Sequence, residues 1–232
     1  MQGTFYGIGV GPGDPELLTV KAVRAMEAAD VIIAPKTEKK EGSVALTIAK
    51  PYLKENIEIV YQVFPMVKHF QENESDSWDK NKDEILMLLE QGKNVVFLTL
   101  GDPMFYSTYI YVFRLLKDAG ARIDTIPGVP AFCAIASLLG RPIVEGDDIL
   151  TVIPATAKEE AIRKALESSE SVVMMKVYKN FDDMVDLLDA NGMAEDAILV
   201  SRAGLDDEVR INDIKGAKGL ELNYLSTILA AK

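Results

Sequence analysis

The stretch Gly7-Ile8-Gly9-Val10-Gly11-Pro12-Gly13-Asp14-Pro15, residues 7–15, decides the fold of this chain. The apolar run Thr4–Val10 leads into it and predicts a buried strand. Asp14 before Pro15 is a strong helix start, and apolar residues continue at helical spacing as far as Ala29. Because glycines let backbones approach closely, the loop between strand and helix either forms a tight turn or contacts a ligand.

The same order of strand and helix repeats through the first half of the chain. Strands are predicted at Val31–Ala34, Ile57–Val63, Asn94–Leu100 and Arg122–Ile126. Helices are predicted at Ser43–Lys54, which Pro51 ends or kinks, at Asp83–Glu90 after a polar loop over 71–82, and at Tyr106–Lys117. This alternation is typical of a parallel sheet in an α/β protein.

The second half has a different order. Helices are predicted at Ala131–Leu139, Lys158–Glu167 and Phe181–Asp189, and strands at Ile149–Ile153, Ser171–Val177 and Ala197–Ser201. Val209–Ile214 and Tyr224–Leu229 follow without a helix between them and are predicted to pair as an antiparallel hairpin. A parallel half followed by a mixed half predicts two α/β domains, residues 1–122 and 123–232.

The composition excludes several classes of chemistry. The 232 residues carry a net charge of −11 and include one cysteine, Cys133, and one histidine, His69. These counts exclude intrachain disulfides, multi-cysteine zinc sites and His-rich metal sites, so no metal site is predicted and reactivity is expected to come from a cofactor or substrate. We expect Cys133 to be a small buried residue of its helix and His69 to be exposed.

Charge and hydropathy also limit the partners. An acidic chain is a poor ligand for nucleic acid or for an anionic membrane. The N-terminus has no basic segment followed by an apolar one, and no apolar run approaches the ~20 residues that span a bilayer. A cytoplasmic protein without a membrane or nucleic-acid partner is therefore expected.

The glycine loop does not match a dinucleotide-binding fingerprint. Its spacing is Gly-x-Gly-x-Gly-Pro, and Asp14 already places a carboxylate at the helix N-terminus that a pyrophosphate would need. The acidic residue expected about 20 positions further on would be Asp30, which ends a helix. The loop therefore favours a tight turn or a ligand without phosphates over NAD.

Four further segments with Gly or Lys follow predicted strands. They are Leu100–Tyr109, Ile126–Ala131, the strand end at Lys176 and Ser201–Gly204. The first three have an ordinary interpretation: a turn or cap at Asp102, a linker between domains, and a lysine whose head group reaches solvent. The hydroxyl groups of Tyr106, Ser107 and Thr108 favour a polar pocket instead. Because open α/β sheets bind ligands at the carboxyl ends of their strands, the recurrence favours a site.

These loops resemble those of the tetrapyrrole (corrin/porphyrin) methylases. Gly7–Thr19 is similar to the opening loop of that family, and Gly101-Asp102-Pro103 and Ile126-Pro127-Gly128 match its later motifs. The resemblance covers the whole chain. It implies a homodimeric, two-domain α/β methyltransferase with a mostly parallel N-terminal sheet, a mixed C-terminal sheet and an active-site cleft between them. It also implies S-adenosylmethionine as the methyl donor, held by Pro12, Gly101, Asp102, Phe105, Ser107, Thr108, Ala131, Met175 and Ala203.

Within the family, the segment GDPMFYSTYIYV, residues 101–112, is similar to the group that methylates C20 of precorrin-2 or cobalt-factor II in cobalamin synthesis. Ser107-Thr108 after Tyr106 distinguishes this group. Val129-Pro130 departs from the family pattern, because relatives often carry a hydroxyl residue at the position of Pro130. Two alternatives stay open: methylation of another tetrapyrrole position, and a carrier of a tetrapyrrole or nucleotide without catalysis.

The implied chemistry suggests roles for particular side chains. A sulfonium methyl is already activated, so the protein must align the reactants and let a proton leave C20. Asp102, Tyr106 and Lys176 are the catalytic candidates, either by orienting the macrocycle or by relaying that proton. A tetrapyrrole polycarboxylate also requires a local positive rim on this acidic chain. The basic candidates are Lys36, Lys39, Lys40, Lys68, Lys179 and Arg202.

Overall fold

The computed structural model describes residues 2–36, 42–64 and 75–232. The chain divides into two compact units, Met1–Pro130 and Ala131–Lys232. The division falls after Pro130 rather than after Arg122, because the strand at Ile123–Ile126 pairs with the first strand of the chain. The α/β class is confirmed, with one sheet in each unit.

The first unit is built on a parallel sheet. Its strands are β1 (Phe5–Gly9), β2 (Val31–Lys36), β3 (Glu58–Val63), β4 (Val95–Thr99) and β5 (Ile123–Ile126). Its helices are α1 (Val20–Glu27), α2 (Val44–Ala49), α3 (Ser75–Glu90) and α4 (Tyr109–Asp118). The strand order is β3-β2-β4-β1-β5, and every pairing is parallel. As predicted, β1 and β4 are buried. Because every pairing is parallel, the carboxyl ends of the five strands lie at one edge of the sheet.

Two helix starts in this unit differ from prediction. Asp14 caps only the short 3₁₀ turn Pro15–Leu17, because Leu18 then takes extended backbone. The helix itself begins at Val20, where the hydroxyl of Thr19 accepts the N–H of Ala22. Helix α3 begins at Ser75, inside the predicted polar loop, and Trp78 anchors it as one of the largest fully buried side chains.

The second unit is built on a mixed sheet. Its helices are α5 (Ala131–Leu139), α6 (Glu159–Glu167) and α7 (Phe181–Ala190). Its strands are β6 (Leu150–Pro154), β7 (Ser171–Met175), β8 (Ile198–Ser201), β9 (Val209–Ile211) and β10 (Ser226–Ala231). The order is β6-β7-β10-β8-β9, with only β6 and β7 parallel among the pairings described.

The predicted hairpin between Val209–Ile214 and Tyr224–Leu229 is wrong. The antiparallel partner of β9 is β8, and β10 lies between β7 and β8. Burial explains this arrangement: five of the six residues of β10 are buried, as in a central strand, whereas β9 is mainly exposed and carries Arg210. Consequently the chain before Ser226 lies between the ends of β7 and β8.

Candidate functional site

Three loops of the first unit meet through bare backbone. The adjacent strands β4, β1 and β5 are followed by loops that bring Gly9, Gly101 and Gly128 into contact. A Cβ atom on Gly128 would lie 2.2 Å from the carbonyl oxygen of Gly101, and one on Gly9 would lie 2.6 Å from the nitrogen of Gly128. Only glycine fits this approach. We call these three residues the glycine junction; it lies at the carboxyl edge of the parallel sheet, where such sheets bind ligands.

Gly11 joins this arrangement from the loop after β1. The N–H of Gly101 donates to the carbonyl of Gly11 at 2.8 Å, and the N–H of Gly11 donates back to the carbonyl of Gly101 at 3.3 Å. Pro12, a predicted cofactor contact, follows directly and is buried. The loop after β1 is therefore held against the loop after β4 by its own backbone.

Asp102 connects two of the loops. Its Oδ1 accepts the N–H of Met104 at 2.8 Å, and its Oδ2 accepts the N–H of Gly128 at 3.1 Å. Each carboxylate oxygen therefore already has a backbone donor, one in its own loop and one in the loop after β5. This geometry makes Asp102 a residue that fixes loop positions, whereas its sequence context suggested contact with a ligand or a proton relay.

The hydroxyl residues after Asp102 have separate roles. The hydroxyl of Ser107 lies 2.7 Å from that of Thr99 and accepts the N–H of Tyr109 at 3.1 Å, so Ser107 stabilises the start of α4. Helix α4 therefore begins three residues later than Tyr106, the predicted start. Tyr106 remains in the loop, 43% exposed, with its ring edge-to-face against Phe105 at 4.8 Å between centroids. Partial burial raises the pKa of Tyr106.

Tyr109, which the sequence did not single out, packs against strands β1 and β5. Its ring fills the space beside Gly7, where a Cβ atom would lie 2.0 Å from the ring. Its hydroxyl lies 2.6 Å from the hydroxyl of Thr125 on β5. Burial raises the pKa of Tyr109 to about 12. A buried tyrosine with a hydroxyl partner has no local sequence signature, so only the fold reveals it.

Lys36 lies at the same edge of the sheet as these loops. It is the last residue of β2 and is half-buried. Its ammonium group lies 5.6 Å from the ring centroid of Tyr61 on β3. The structure thus places this predicted substrate contact at the carboxyl end of a parallel strand.

In the second unit, two predicted cofactor contacts, Met175 and Ala203, lie at the ends of β7 and β8. Met175 is the last residue of β7 and is half-buried, and Ala203 is buried two residues after β8. The N–H of Val177 donates to the carbonyl of Ser226 at 3.1 Å, and that of Arg202 donates to the carbonyl of Leu225 at 2.9 Å. Both loops are therefore fixed to the segment that enters β10. Ala131, another predicted cofactor contact, begins α5.

Arg202 already has an acidic partner. Its Nε donates to Asp207 at 2.5 Å, and this bond lowers the pKa of the Asp207 carboxyl. Arg202 is only partly exposed, with 22% of its side chain accessible. A substrate carboxylate would have to compete with Asp207 for the same guanidinium.

Backbone strain coincides with the predicted site. In the part of the chain that the structure describes, three residues other than glycine have positive φ: Tyr106 at 50°, Lys176 at 61° and Arg202 at 57°. All three were singled out from the sequence as catalytic or substrate-binding candidates. The left-handed region costs an ordinary residue about 1–2 kcal/mol, and such strain concentrates at functional sites.

Other predicted residues lie elsewhere. Lys39, Lys40, Lys68 and His69 fall outside the described residues. Cys133 is exposed, contrary to the expectation of a buried residue, because α5 turns it away from the buried Ile135 and Ala136. Within residues 2–36, 42–64 and 75–232, no group of three or more His, Cys, Asp or Glu side chains could hold a metal ion. No helix in those ranges is long and apolar enough to cross a membrane.

Comparison with known proteins gives consistent matches. The sequence model of the family "Tetrapyrrole (Corrin/Porphyrin) Methylases" matches residues 4–215. The chain is 37% identical over 240 aligned positions to the cobalt-precorrin-2 C(20)-methyltransferase of Salmonella typhimurium, covering 100% of this chain and 98% of that protein. It is 32% identical over 207 positions to the precorrin-2 C(20)-methyltransferase of Sinorhizobium sp, covering 86% and 84%.

A solved structure has the same fold. The X-ray structure of a cobalamin biosynthetic enzyme, cobalt precorrin-4 methyltransferase, is similar with a TM-score of 0.74 and 25% identity. That likeness covers 98% of this chain and 94% of the other. The combination of a parallel sheet and a mixed sheet is therefore shared along nearly the whole length of both chains.

Proposed function

This chain belongs to the tetrapyrrole (corrin/porphyrin) methylases, and on that premise we propose that it transfers a methyl group from S-adenosylmethionine to C20 of precorrin-2 or cobalt-precorrin-2 in cobalamin biosynthesis. The choice of C20 rests on full-length similarity to enzymes with that activity. The segment Gly101–Val112, which distinguishes the C20 group in sequence, begins in the loop that contains Asp102.

The observation that supports the donor site best is the glycine junction. Three strand ends pack there backbone against backbone, which fixes the loops of the proposed donor site at the carboxyl edge of the parallel sheet. Asp14, on the 3₁₀ turn that follows, disfavours a phosphate at that position but not a donor with a sulfonium charge. We propose that this chain holds S-adenosylmethionine through Pro12, Gly101, Asp102, Phe105, Ser107, Thr108, Ala131, Met175 and Ala203.

Methyl transfer here depends on positioning. When bound, S-adenosylmethionine supplies a methyl group that is already activated on sulfur, so no attacking side chain is required. Asp102 accepts the N–H of Gly128 and so fixes the loop after β4 against the loop after β5, both of which belong to the proposed site. Alignment of two reactants of this kind can contribute about 7–11 kcal/mol to lowering the barrier. Asp102 therefore acts through the loops it holds.

Tyr106 and Lys176 are proposed to contact the macrocycle. Because burial raises the pKa of Tyr106, its hydroxyl stays protonated at neutral pH and serves as a hydrogen-bond donor. Lys176 is half-buried and strained, and its ammonium group suits a substrate carboxylate. Lys36, Lys179 and Arg202 are proposed to bind further carboxylates, Arg202 after exchange with Asp207.

Product analysis tests the proposal. The purified protein is incubated with S-adenosylmethionine and precorrin-2, with and without cobalt in the macrocycle, and the product is examined by mass spectrometry and NMR. We expect one added methyl group, at C20. Transfer to another carbon would support the alternative regiochemistry, and tight binding of both molecules without any transfer would support a carrier. Either result would refute C20 methylation.

We propose that the protein works as a cytoplasmic homodimer. A single cysteine suits a reducing compartment.

Helix α5 contains no charged residue, yet only Ile135 and Ala136 are buried in it, and Leu138 and nearby Val144 are exposed. On a chain of net charge −11, an uncharged apolar face is the surface on which two copies can meet with least repulsion. Leu138→Glu should convert the dimer to a monomer in analytical ultracentrifugation; an unchanged mass would refute this surface.

A further inference from the structure

Two tyrosines meet at the edge of the second unit. Tyr178 follows β7 and Tyr224 precedes β10, its neighbour in the sheet. Their ring centroids are 5.3 Å apart with an interplanar angle of 76°, an edge-to-face arrangement. The hydrogen bond from Val177 to Ser226 fixes the two segments next to each other. We call Tyr178 and Tyr224 the aromatic corner.

Each ring of the aromatic corner carries a lysine on its face. The ammonium group of Lys176 lies 5.8 Å from the centroid of Tyr224, and that of Lys179 lies 5.5 Å from the centroid of Tyr178. Both distances are within the range of a cation–π contact. Lys176 has left-handed backbone directly after the end of β7, and Lys176 and Lys179 lie over different rings.

The ionic surroundings of Lys179 differ from those of Lys215 and Lys218 in the same unit. Lys215 is paired with Asp189 and Glu195, both at 2.6 Å, and Lys218 is paired with Asp186 at 2.7 Å. In contrast, no carboxylate of the described residues forms an ion pair with Lys179. On an acidic chain, a cation held by a ring keeps its capacity to bind an external carboxylate.

The rings themselves do not compete for that role. Burial raises the pKa of Tyr224, and Tyr178 adds to the effect, so the phenol of Tyr224 stays neutral in the physiological range. A neutral ring orients an ammonium group without forming a salt bridge with it. It also presents an apolar edge to a flat conjugated ligand.

Resting on the proposed function, we propose that the aromatic corner with Lys176 and Lys179 binds neighbouring carboxylates of the tetrapyrrole, and that Tyr224 is a positioning residue that orients Lys176. The corner then determines how the macrocycle is placed. Its contribution falls on substrate affinity, because a peripheral carboxylate keeps the same charge before and during methyl transfer.

Four variants test the inference. Tyr224→Leu removes the ring, Tyr224→Phe keeps the ring without its hydroxyl, and Lys179→Gln removes one charge. Lys164→Gln is the matched control, because Lys164 is exposed on α6 of the same unit and lies on no ring among the described residues. Thermal denaturation establishes that each variant is folded.

The expected result is a separation of KM from kcat. Tyr224→Leu and Lys179→Gln should each raise KM for the tetrapyrrole about tenfold while kcat stays within about twofold and KM for S-adenosylmethionine is unchanged. Tyr224→Phe and Lys164→Gln should behave as wild type. Lys179→Gln should also reduce the increase of KM with salt. Unchanged KM in both Tyr224→Leu and Lys179→Gln, or equal losses in Tyr224→Phe and Tyr224→Leu, would overturn the inference.

A failure of the proposed function would look different. The wild-type protein would then transfer no methyl group, whatever the variants do. Calorimetric titration with cobalt-precorrin-2 still tests the corner in that case, because binding needs no turnover. Weaker binding by Tyr224→Leu and Lys179→Gln than by Lys164→Gln would support the corner, and equal binding by all variants would refute it.

Discussion

Gly128→Ala is a sharp perturbation of the glycine junction. The added Cβ would lie 2.2 Å from the carbonyl oxygen of Gly101 and 2.7 Å from both the Cα and the carbonyl carbon of Gly9. All three are backbone atoms, so no side chain can rotate away and a loop must move. Overpacking of this kind costs about 1–3 kcal/mol. Displacement also weakens the bond from the Gly128 N–H to Asp102, worth a further ~1 kcal/mol or more.

These terms predict a measurable loss of stability and of ligand binding. A destabilisation of about 2–4 kcal/mol corresponds to a decrease in Tm of roughly 4–16 °C for a chain of this size. Because the displaced loops form the proposed donor site, Kd for S-adenosylmethionine should rise at least about tenfold. Circular dichroism on heating gives Tm, and isothermal titration calorimetry gives Kd.

The control is Gly42→Ala, where nothing lies within 4 Å of the added Cβ and φ is not positive. Alanine there should leave Tm and Kd near their wild-type values. If Gly128→Ala matched Gly42→Ala in both measurements, the close packing of the three loops would be refuted. If Tm fell but Kd did not change, the packing would stand and the donor site would have to lie elsewhere.

Three further outcomes are expected. Tyr109→Phe should lose about 1 kcal/mol of stability in urea unfolding at neutral pH, because it removes the hydrogen bond to Thr125. Since the pKa of Tyr109 is raised, its contribution is complete below pH ~10 and is lost as pH rises through about 12, so wild type should lose more stability than the variant across that interval. Lys176→Gly should be more stable than Lys176→Ala by about 1 kcal/mol in the same assay, because only glycine adopts φ of 61° without strain; equal stability would contradict this. Raising ionic strength should increase KM for the tetrapyrrole with little change in kcat, and a constant KM would argue against a positive rim.

The sequence determines the class of the fold because buried strands have a simple signal. β1 and β4 are short runs of apolar residues, and nearly every residue in them is buried. Pairing partners have no comparable signal. β9 and β10 are consecutive strands, but β10 has the buried composition of a central strand and β9 does not. Proximity along the chain therefore predicted a hairpin that the core does not allow.

Helix boundaries were missed where local preference and packing disagree. Asp14 and Pro15 favour a helix start, but the 3₁₀ turn that follows them ends where Leu18 takes extended backbone. The α-helix begins after a second cap, Thr19. Helix α3 starts among polar residues, where Trp78 is the buried apolar side chain, whereas Ile85, Leu88 and Leu89 lie in the part that was predicted as a helix. One apolar residue is too few to create a periodic pattern, so the segment resembled a loop.

The site divides into what a motif can reveal and what only the fold can reveal. Tyr106, Lys176 and Arg202 follow strand ends and are predicted as site residues from position and residue type. They are also the residues other than glycine that have positive φ in the described chain. The role of Asp102 was not recognised, because its partner Gly128 is distant in sequence and the bond exists only when β4 and β5 lie on either side of β1. Its turn position was correctly identified, but its contact was not.

Substitutions in the glycine junction and in the aromatic corner should affect different properties of the protein. Residues of the glycine junction contact backbone atoms of neighbouring loops, and the N–H of Gly128 also donates to Asp102. Substitutions there should therefore affect stability and ligand binding together. Tyr178, Tyr224 and Lys179 are half-buried or exposed, the two rings contact each other, and Lys179 lies over the ring of Tyr178. Substitutions among them should affect KM for the tetrapyrrole while leaving Tm nearly unchanged. A chain that binds an activated donor and a flat polycarboxylate needs both kinds, because rigid loops align the methyl group and adaptable cations select the acceptor.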